Sequence, residues 1–421
     1  MGWRLGARLF RRSMSGEKIY EGVFAVNKPQ GVTSADVLRH LQTHFRPSAL
    51  FAPWLRDEQQ RRANENNNQR RRRRTQRLDV KLGHGGTLDP LATGVLVAGV
   101  GKGTKHLGSF LGCTKTYETV VLFGAETDTY DVLGKVVRRA PYEHITREAV
   151  EAALARFRGK IMQRPPIYSA LRINGKRLYE YAREGVEPPV EIQERPVEVS
   201  DLRVLEWFEP GSHEWKWPEV EAEGEEKVVA EKLLRKEDEV LAAAGSKVEG
   251  AGEVPGEASA KRKDPPSPSS SPLAEAESAK AEEDAGAAEQ EAGAPAAKKV
   301  KVSEDGEAVS AAQAEEAPAA MATSTPETKE EAPARPQPAA VKITMTVSSG
   351  FYVRSLAHDL GKAVGSCALM TSLVRCRQAG FELEPEKVLE YKDLEAGEDV
   401  WGPKMKRFLE DWEKKRVAGQ V

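Results

Sequence analysis

From about Pro218 to Ala340 the chain is written almost wholly in Ala, Glu, Ser, Pro and Lys, and this stretch limits the possible folds more than any other feature. It has almost no aromatic residue and only weak periodicity. Such a segment cannot bury enough apolar surface to offset the entropy of ordering it, so it is expected to be disordered. One helical run at its start, "EKVVAEKLLRKEDEVLAAA", is expected to form transiently. About 300 residues are left to fold, enough for one large core. The segment lies between two strand-like runs, 197–208 and 341–349. That arrangement predicts a β-hairpin whose connection has been expanded. Loop-closure entropy grows only logarithmically, so a connection of about 120 residues costs roughly 3 kcal/mol, which a good core tolerates.

Charge divides in the same way. The whole chain has a formal charge of −2, but residues 219–340 hold 28 Asp and Glu against 14 Lys and Arg, a net of −14. The remainder carries +12, and a basic folded part favours a polyanionic partner, nucleic acid first. Cys113, Cys367 and Cys376 show no metal-ligand spacing and fit a reducing compartment without structural disulfides. No apolar run approaches membrane-spanning length, so no membrane partner is expected. "MGWRLGARLFRRSMSG" is Arg-rich and free of acids, and residues 1–18 read as a basic tail that resembles a mitochondrial presequence. "KRK" at 261–263 and the lysine cluster at 295–302 read as signals for a nuclear import receptor. The expected location is therefore nucleus and mitochondrion, with the cytoplasm as a third site.

Along the rest of the chain, "GVFAVNKPQGVTS" reads as a strand, a turn and a helix start with Ser34 or Thr33 as N-cap. "SADVLRHLQTHF" continues at helical spacing. Residues 46–81, with "NENNNQRRRRRTQRLDVK", read as a polar insertion. Its Asn and Gln argue against core, and its arginines, in 61–77, argue for a mobile arm near phosphates. "TGVLVAGVG" and "KTYETVVLFGAETD" read as strands, and "TREAVEAALARFRGKI" as an amphipathic helix capped by Thr146. After the low-complexity stretch, "VKITMTVSSGFYVRS" reads as one alternating strand, "SLAHDLGKAVG" as a helix ending at glycine, and "CALMTSLVRCRQAGFEL" as a last strand. The folded domain then lies in two pieces, 19–217 and 341–385, with 386–421 as a C-terminal extension.

"GHGGTLDPLATGVLVAGVGKGTK", residues 83–105, gathers seven glycines around a single carboxylate, Asp89. It is not a phosphate-binding P-loop: Gly101-Lys102 is followed by Gly103, and Leu96 stands where the first glycine belongs. The glycine spacing also fails the dinucleotide fingerprint. Taken alone, Asp89-Pro90 reads as an ordinary helix start, with aspartate at N-cap and proline at N1. No second carboxylate stands beside Asp89 to form a hydrolytic pair or a metal site.

"GHGGTLDPLATGVL" resembles the catalytic motif of TruB-type pseudouridine synthases, which form pseudouridine 55 in the T arm of tRNA. Its double glycine before the threonine is most similar to the eukaryotic, stand-alone branch. "NKPQGVTS" resembles the family's opening Lys-Pro motif, "KTYET" its tyrosine strand, and "IYSALRINGKRLYEYAREG" its RNA-gripping insertion. "SSGFYVRSLAHDLG" resembles its Tyr-x-Arg strand and helix, and "LVRCRQAGFEL" its final sheet motif. These occur in family order over most of the folded part; 46–81 and 218–340 lie outside the resemblance. The fold implied is α/β of the α+β type, the pseudouridine synthase fold: a mixed, mostly antiparallel sheet flanked by helices, with the active cleft across its face. Too few residues follow "AGFEL" for the complete PUA domain that many relatives carry.

The reaction so implied breaks the N–C glycosidic bond, turns the base and rejoins it through carbon, and it needs neither cofactor nor metal. It needs a carboxylate, a base for the C5 proton, a pocket for the detached uracil and a nucleotide out of its stack. The resemblance gives the carboxylate role to Asp89, as nucleophile or as a base in a glycal-type route; both stay open. Arg354 matches the arginine that pairs with it, and an always-charged guanidinium keeps an enclosed carboxylate ionised. Tyr352, two residues earlier on the same expected strand face, matches a tyrosine of the uracil pocket. Tyr117 matches the tyrosine that stacks on the everted base and is a candidate for the C5 proton step. Leu373 matches an apolar wall. His84 matches the histidine that takes up space in the RNA loop.

Arg172, Lys176, Arg177 and Arg183 beside Tyr168, Tyr179 and Tyr181 fit a clamp on a T loop, although relatives commonly have lysine where Arg172 stands. Lys28 and Pro29 read as architectural, with a phosphate contact by Lys28 as the alternative. The glycines around Asp89 are expected to leave room for an RNA backbone and a ribose. The expected partners are tRNA through its T stem-loop and mRNA stem-loops of similar shape, and the chain is expected to act as a monomer. Two rival readings remain at this level: a non-catalytic RNA-binding or RNA-folding protein on the same fold, and a guide-RNA-dependent synthase.

Overall fold

β1 (Gly22–Lys28) is apolar on both faces, which requires cover on both sides. The computed structural model, which describes residues 11–13, 16–73, 76–224, 227 and 337–419, supplies that cover. The chain continues through α1 (Ser34–Phe45), α2 (Ala52–Ala63), α3 (Asn67–Arg73), β2 (Leu82–His84), β3 (Thr93–Val100), α4 (Leu107–Gly112) and β4 (Lys115–Phe123). Next come β5 (Ala125–Thr127), β6 (Val136–Arg139), α5 (Arg147–Leu154), β7 (Gly159–Gln163), β8 (Arg172–Ile173), β9 (Lys176–Arg177), α6 (Leu178–Arg183) and β10 (Arg195–Phe208). The second piece holds β11 (Ala340–Val347), α7 (Val353–Ala363), β12 (Ala368–Gln378), β13 (Phe381–Glu382), β14 (Leu389–Glu390), α8 (Tyr391–Glu395) and α9 (Glu398–Val417).

One sheet runs in the order β14-β1-β3-β12-β4-β11-β10-β7, with β2 added to β3 and β13 to β12. It is mixed and mostly antiparallel; the β1–β14 and β3–β12 pairs are parallel. The larger core packs Val37 and Leu41 of α1, Val150 and Leu154 of α5 and Leu356 and Leu360 of α7 with buried strand residues. A smaller one joins Val23, Val95 and Val97 to Phe110 and Trp412. The expected hairpin across the low-complexity stretch is present: β10 and β11 pair antiparallel, with Leu202 opposite Met345 and Phe208 opposite Ala340. Local signals match as well. Thr33 caps α1 in a reciprocal capping box with Asp36, and Thr146 accepts from Ala149 N at the start of α5.

Three expectations change. The polar tract 46–81 is not simply a mobile arm. Phe51 and Trp54 are buried, with the Phe51 ring tilted against Phe45 at 4.4 Å and stacked on Trp401 at 6.4 Å. The indole of Trp54 donates to Glu21 over 3.0 Å. Two aromatic anchors dock α2 although its composition is polar, because their partners come from distant parts of the chain. Second, 341–355 is not one strand. β11 ends at Val347, the chain turns at Gly350 (φ +83°), and Arg354 lies in the first turn of α7. Tyr352 and Arg354 therefore share no strand face. Third, the segment after 385 is part of the fold: β14 joins the sheet, and Trp401, Met405, Leu409 and Trp412 of α9 are buried.

The helical run at 226–244, apart from Lys227, the two lysine clusters and residues 1–10 of the basic tail lie outside the described residues. From Arg11 the tail is docked, pairing with Glu21 at 3.4 Å and with Asp57. Among the described residues no helix is long and apolar enough to cross a membrane.

Candidate active site

The Asp89 loop departs from β2 and returns into β3. His84 lies opposite Ala98, and Gly85 N donates to Val97 O at 2.8 Å before the chain swings out. No helix follows Asp89: Ala92 N closes a turn onto Asp89 O at 3.0 Å, and β3 begins at Thr93, so the helix-cap reading does not hold. An irregular buried loop carries backbone groups that need partners. Four side chains reach in from three elements to provide them. Leu88 N donates to Ser34 Oγ over 2.9 Å. Lys28 Nζ donates to the carbonyls of Pro29, Pro90 and Ala92 at 2.9, 3.3 and 2.6 Å. Arg375 donates to Val95 O at 2.7 Å, Gly86 O at 3.2 Å and Thr87 O at 3.4 Å. Gln378 donates to Gly85 O, and to Phe110 O at 2.9 Å.

Part of the glycine content has a different cause from the one expected. At Gly94 (φ +96°) an added Cβ would stand 2.4 Å from Arg375 O, and at Gly103 it would stand 1.9 Å from Gly22 O. There the missing side chain lets protein backbones meet, rather than leaving room for RNA.

Asp89 and Arg354, 265 residues apart, meet with Arg354 Nε donating to Asp89 Oδ2 at 2.8 Å. The other guanidinium nitrogens donate to Thr129 O and Tyr168 O, each at 3.0 Å. The arginine side chain is 8% exposed and that of the aspartate 36%, so the carboxylate stays open to solvent while its partner is enclosed. Asp131, also enclosed, places Oδ2 3.9 Å from the same Arg354 nitrogen. Burial pushes the Asp131 carboxyl up, with the Arg354 charge opposing.

Tyr117 and Leu373 are nearly buried, on the neighbouring strands β4 and β12. Tyr117 lies opposite Arg375, which lies opposite Gly94 on β3, so one row across three strands leads from the tyrosine toward the Asp89 loop. Tyr352 is half-buried. Its N–H donates to Gln163 Oε1 at 2.8 Å and its carbonyl accepts from Gln163 Nε2 at 3.0 Å, so a buried amide imitates a strand partner. His84 is half-buried, and burial, reinforced by the Arg375 charge, lowers its pKa.

The expected RNA clamp forms a separate hairpin. β8 and β9 are joined by Asn174 (φ +50°) and Gly175 (φ +82°), the two left-handed residues of a tight turn. Arg172 is exposed. Lys176 Nζ sits 4.6 Å from the Tyr181 ring, while Arg177 and Arg183 approach Tyr179 at 5.6 and 5.0 Å. Tyr168, which takes the Arg354 bond, precedes the hairpin by a few residues and ties it to the ion pair.

Lys28 takes the architectural role and not the alternative phosphate contact. Its side chain is wholly buried among loop carbonyls and does not reach a phosphate. Burial pushes its ammonium down to about 8, with the nearby Asp89 charge acting upward. Above that value the native chain holds fewer protons than the unfolded chain until the ordinary lysine range, about 10.4, is reached. This group therefore makes the unfolding free energy rise with pH over that window. Urea melts at neutral pH and in the window are expected to show wild type gaining on Lys28→Met at the higher pH. An equal margin at both would refute the linkage.

Asp131, Gln163, Arg375 and Gln378 went unread in the sequence, and Ser34 was read only as a helix cap. The one local signal was the pair of charges, Arg375 and Arg377, near the end of a strand that begins apolar. Among the described residues no cluster of three or more His, Cys, Asp or Glu side chains is placed to hold a metal.

Residues 71–223 match the model of the TruB family pseudouridylate synthase N-terminal domain. The chain is 40% identical over 378 residues to tRNA pseudouridine synthase 4 of Schizosaccharomyces pombe, covering 89% of this chain and 83% of that protein. It is 30% identical over 399 residues to tRNA pseudouridine synthase 4 of Saccharomyces cerevisiae, covering 93% and 85%. Against pseudouridylate synthase TRUB1 of Homo sapiens it is 41% identical over 191 residues, 45% of this chain and 49% of that protein. Similarity over almost the whole length, with the Asp89–Arg354 pair at the mouth of a mixed sheet, establishes that this chain belongs to the TruB family of pseudouridine synthases.

Proposed function

We propose that the protein isomerises uridine 55 in the T arm of tRNA to pseudouridine, as a stand-alone enzyme that needs no guide RNA and no cofactor. The observation that carries this reading is the Asp89 carboxylate, open to the cleft and held from behind by Arg354 at 2.8 Å. An everted uridine presents its ribose C1′ to Asp89, while Tyr117, Tyr352 and Leu373 enclose the uracil. Arg354 keeps the carboxylate anionic and aimed. His84 fills the space the nucleotide vacates, and the Arg172–Arg183 hairpin grips the loop. The names of the fungal relatives support tRNA as substrate.

Because the C5 hydrogen leaves when the carbon–carbon bond forms, purified protein is expected to release tritium from a T stem-loop transcript labelled at C5 of uridine 55. No release is expected when cytidine replaces that uridine. RNA binding without release would instead favour the non-catalytic reading. The same proposal covers mRNA hairpins of T-loop shape, action as a monomer, and nuclear, mitochondrial and cytoplasmic pools served by the basic tail and an import receptor. Mapping pseudouridine in each compartment after loss of the protein tests these extensions.

A further inference from the structure

The tract 46–81 carries a positive surface that the ion pair and clamp do not use. α2 is anchored by Phe51 and Trp54, and from its last turn Arg62 donates to the carbonyls of Gln76 and Arg77 at 3.1 and 3.2 Å. The returning chain is thus laid along α2. Farther on, Gly101 N donates to Lys81 O at 2.8 Å, which sets Lys81 beside Lys102. Arg70, Arg71, Arg77, Lys81 and Lys102 are all exposed, and no carboxylate among the described residues pairs with them. Three of the four acids of the same tract, Glu65 apart, are engaged by other arginines: Glu58 by Arg61 and Arg62, Asp57 by Arg11, and Asp79 by Arg46. The surplus charge is therefore not neutralised locally. From Lys81 the chain passes into β2 and reaches His84 three residues on, about 10 Å along a strand.

We propose that Arg70, Arg71, Arg77, Lys81 and Lys102 form a fixed band that binds the phosphate backbone of the RNA duplex leading away from the everted uridine. This rests on the function proposed above. Because Arg70 and Arg77 are tied to the docked α2 through Ala63 O and Arg62, and Lys81 to Gly101, the band costs less ordering on binding than a mobile arm would. Each phosphate it neutralises releases counterions, so the band adds affinity that salt removes. Deleting the whole tract would strip Phe51 and Trp54 from the core, so point changes are the informative test.

The experiment uses the full chain with all five residues changed to Gln, and a control with Lys414→Gln and Lys415→Gln on α9. Binding of a T stem-loop RNA is followed by fluorescence anisotropy across a salt series. The five-site variant is expected to melt like wild type, because the changed side chains are exposed. Its plot of log affinity against log salt is expected to be shallower by roughly 4 to 5, at about 0.9 for each of five phosphate contacts. The control is expected to keep the wild-type slope. An unchanged slope in the five-site variant overturns the band and leaves that face to an acidic protein partner. An equal change in the control also overturns it, since net charge would then explain the effect. Failure of wild type itself to release tritium from the transcript is a different result and defeats the functional reading instead.

Discussion

Asp89→Asn is expected to form no measurable pseudouridine while binding T-arm RNA within about twofold of wild type. Asparagine keeps the shape and can still accept from Arg354 Nε, which lies 2.8 Å from the carboxylate. What it loses is the anion. A neutral amide offers neither a nucleophilic oxygen nor a base toward the ribose. The loss in turnover should be at least about a thousandfold, roughly 4 kcal/mol of barrier. The guanidinium left behind still donates to Thr129 O and Tyr168 O, so the arginine and the hairpin should keep their positions. Tritium release at saturating RNA measures the first effect and anisotropy the second. Turnover within tenfold of wild type would remove Asp89 from the reaction.

Arg375→Met should be the most damaging change away from the reacting atoms. Methionine has nearly the same reach but donates nothing. The carbonyl of Val95, which the guanidinium now holds, would be left unpaired in a buried place, and those of Gly86 and Thr87 in a partly buried one. Each orphaned acceptor costs about 1 to 3 kcal/mol, so a loss of roughly 3 to 5 kcal/mol is expected in urea unfolding, after partial relaxation. Turnover should fall as well, since Gly86 and Thr87 lead directly into Asp89. A second readout separates this from simple loosening. The Arg375 charge helps to hold the His84 pKa down, so the imidazole should titrate higher in the variant, as followed by NMR. A stability loss below about 1 kcal/mol with an unmoved His84 would show that the guanidinium is incidental.

Much of the site was legible because its signals are local or covalent in origin. Glycines spaced around Asp89 mark a place of close approach, although at Gly94 and Gly103 what approaches is protein backbone and not the RNA expected. The Thr33 and Thr146 helix caps are short-range hydrogen-bond preferences, so a few residues suffice to specify each. The resemblance carried Asp89, Arg354, Tyr117 and Tyr352 as a set. It did not reveal how they are held. Lys28, Arg375 and Gln163 look like ordinary polar residues until the fold supplies carbonyls for the first two and the Tyr352 backbone for the third. The docking of α2 was hidden for a related reason: its mean composition is polar, while its attachment depends on two aromatic side chains.

The sequence alone determined what backbone chemistry dictates over short spans: many of the strands, the starts of α1 and α5, and where a lone acid sits in glycine-rich chain. The tertiary structure alone decided which charges are buried, and that Arg354 starts a helix rather than ending a strand. It also decided that an arginine-rich insertion rests on the core. Burial and pairing are properties of two surfaces brought together, and residues 265 apart carry no local trace of that meeting.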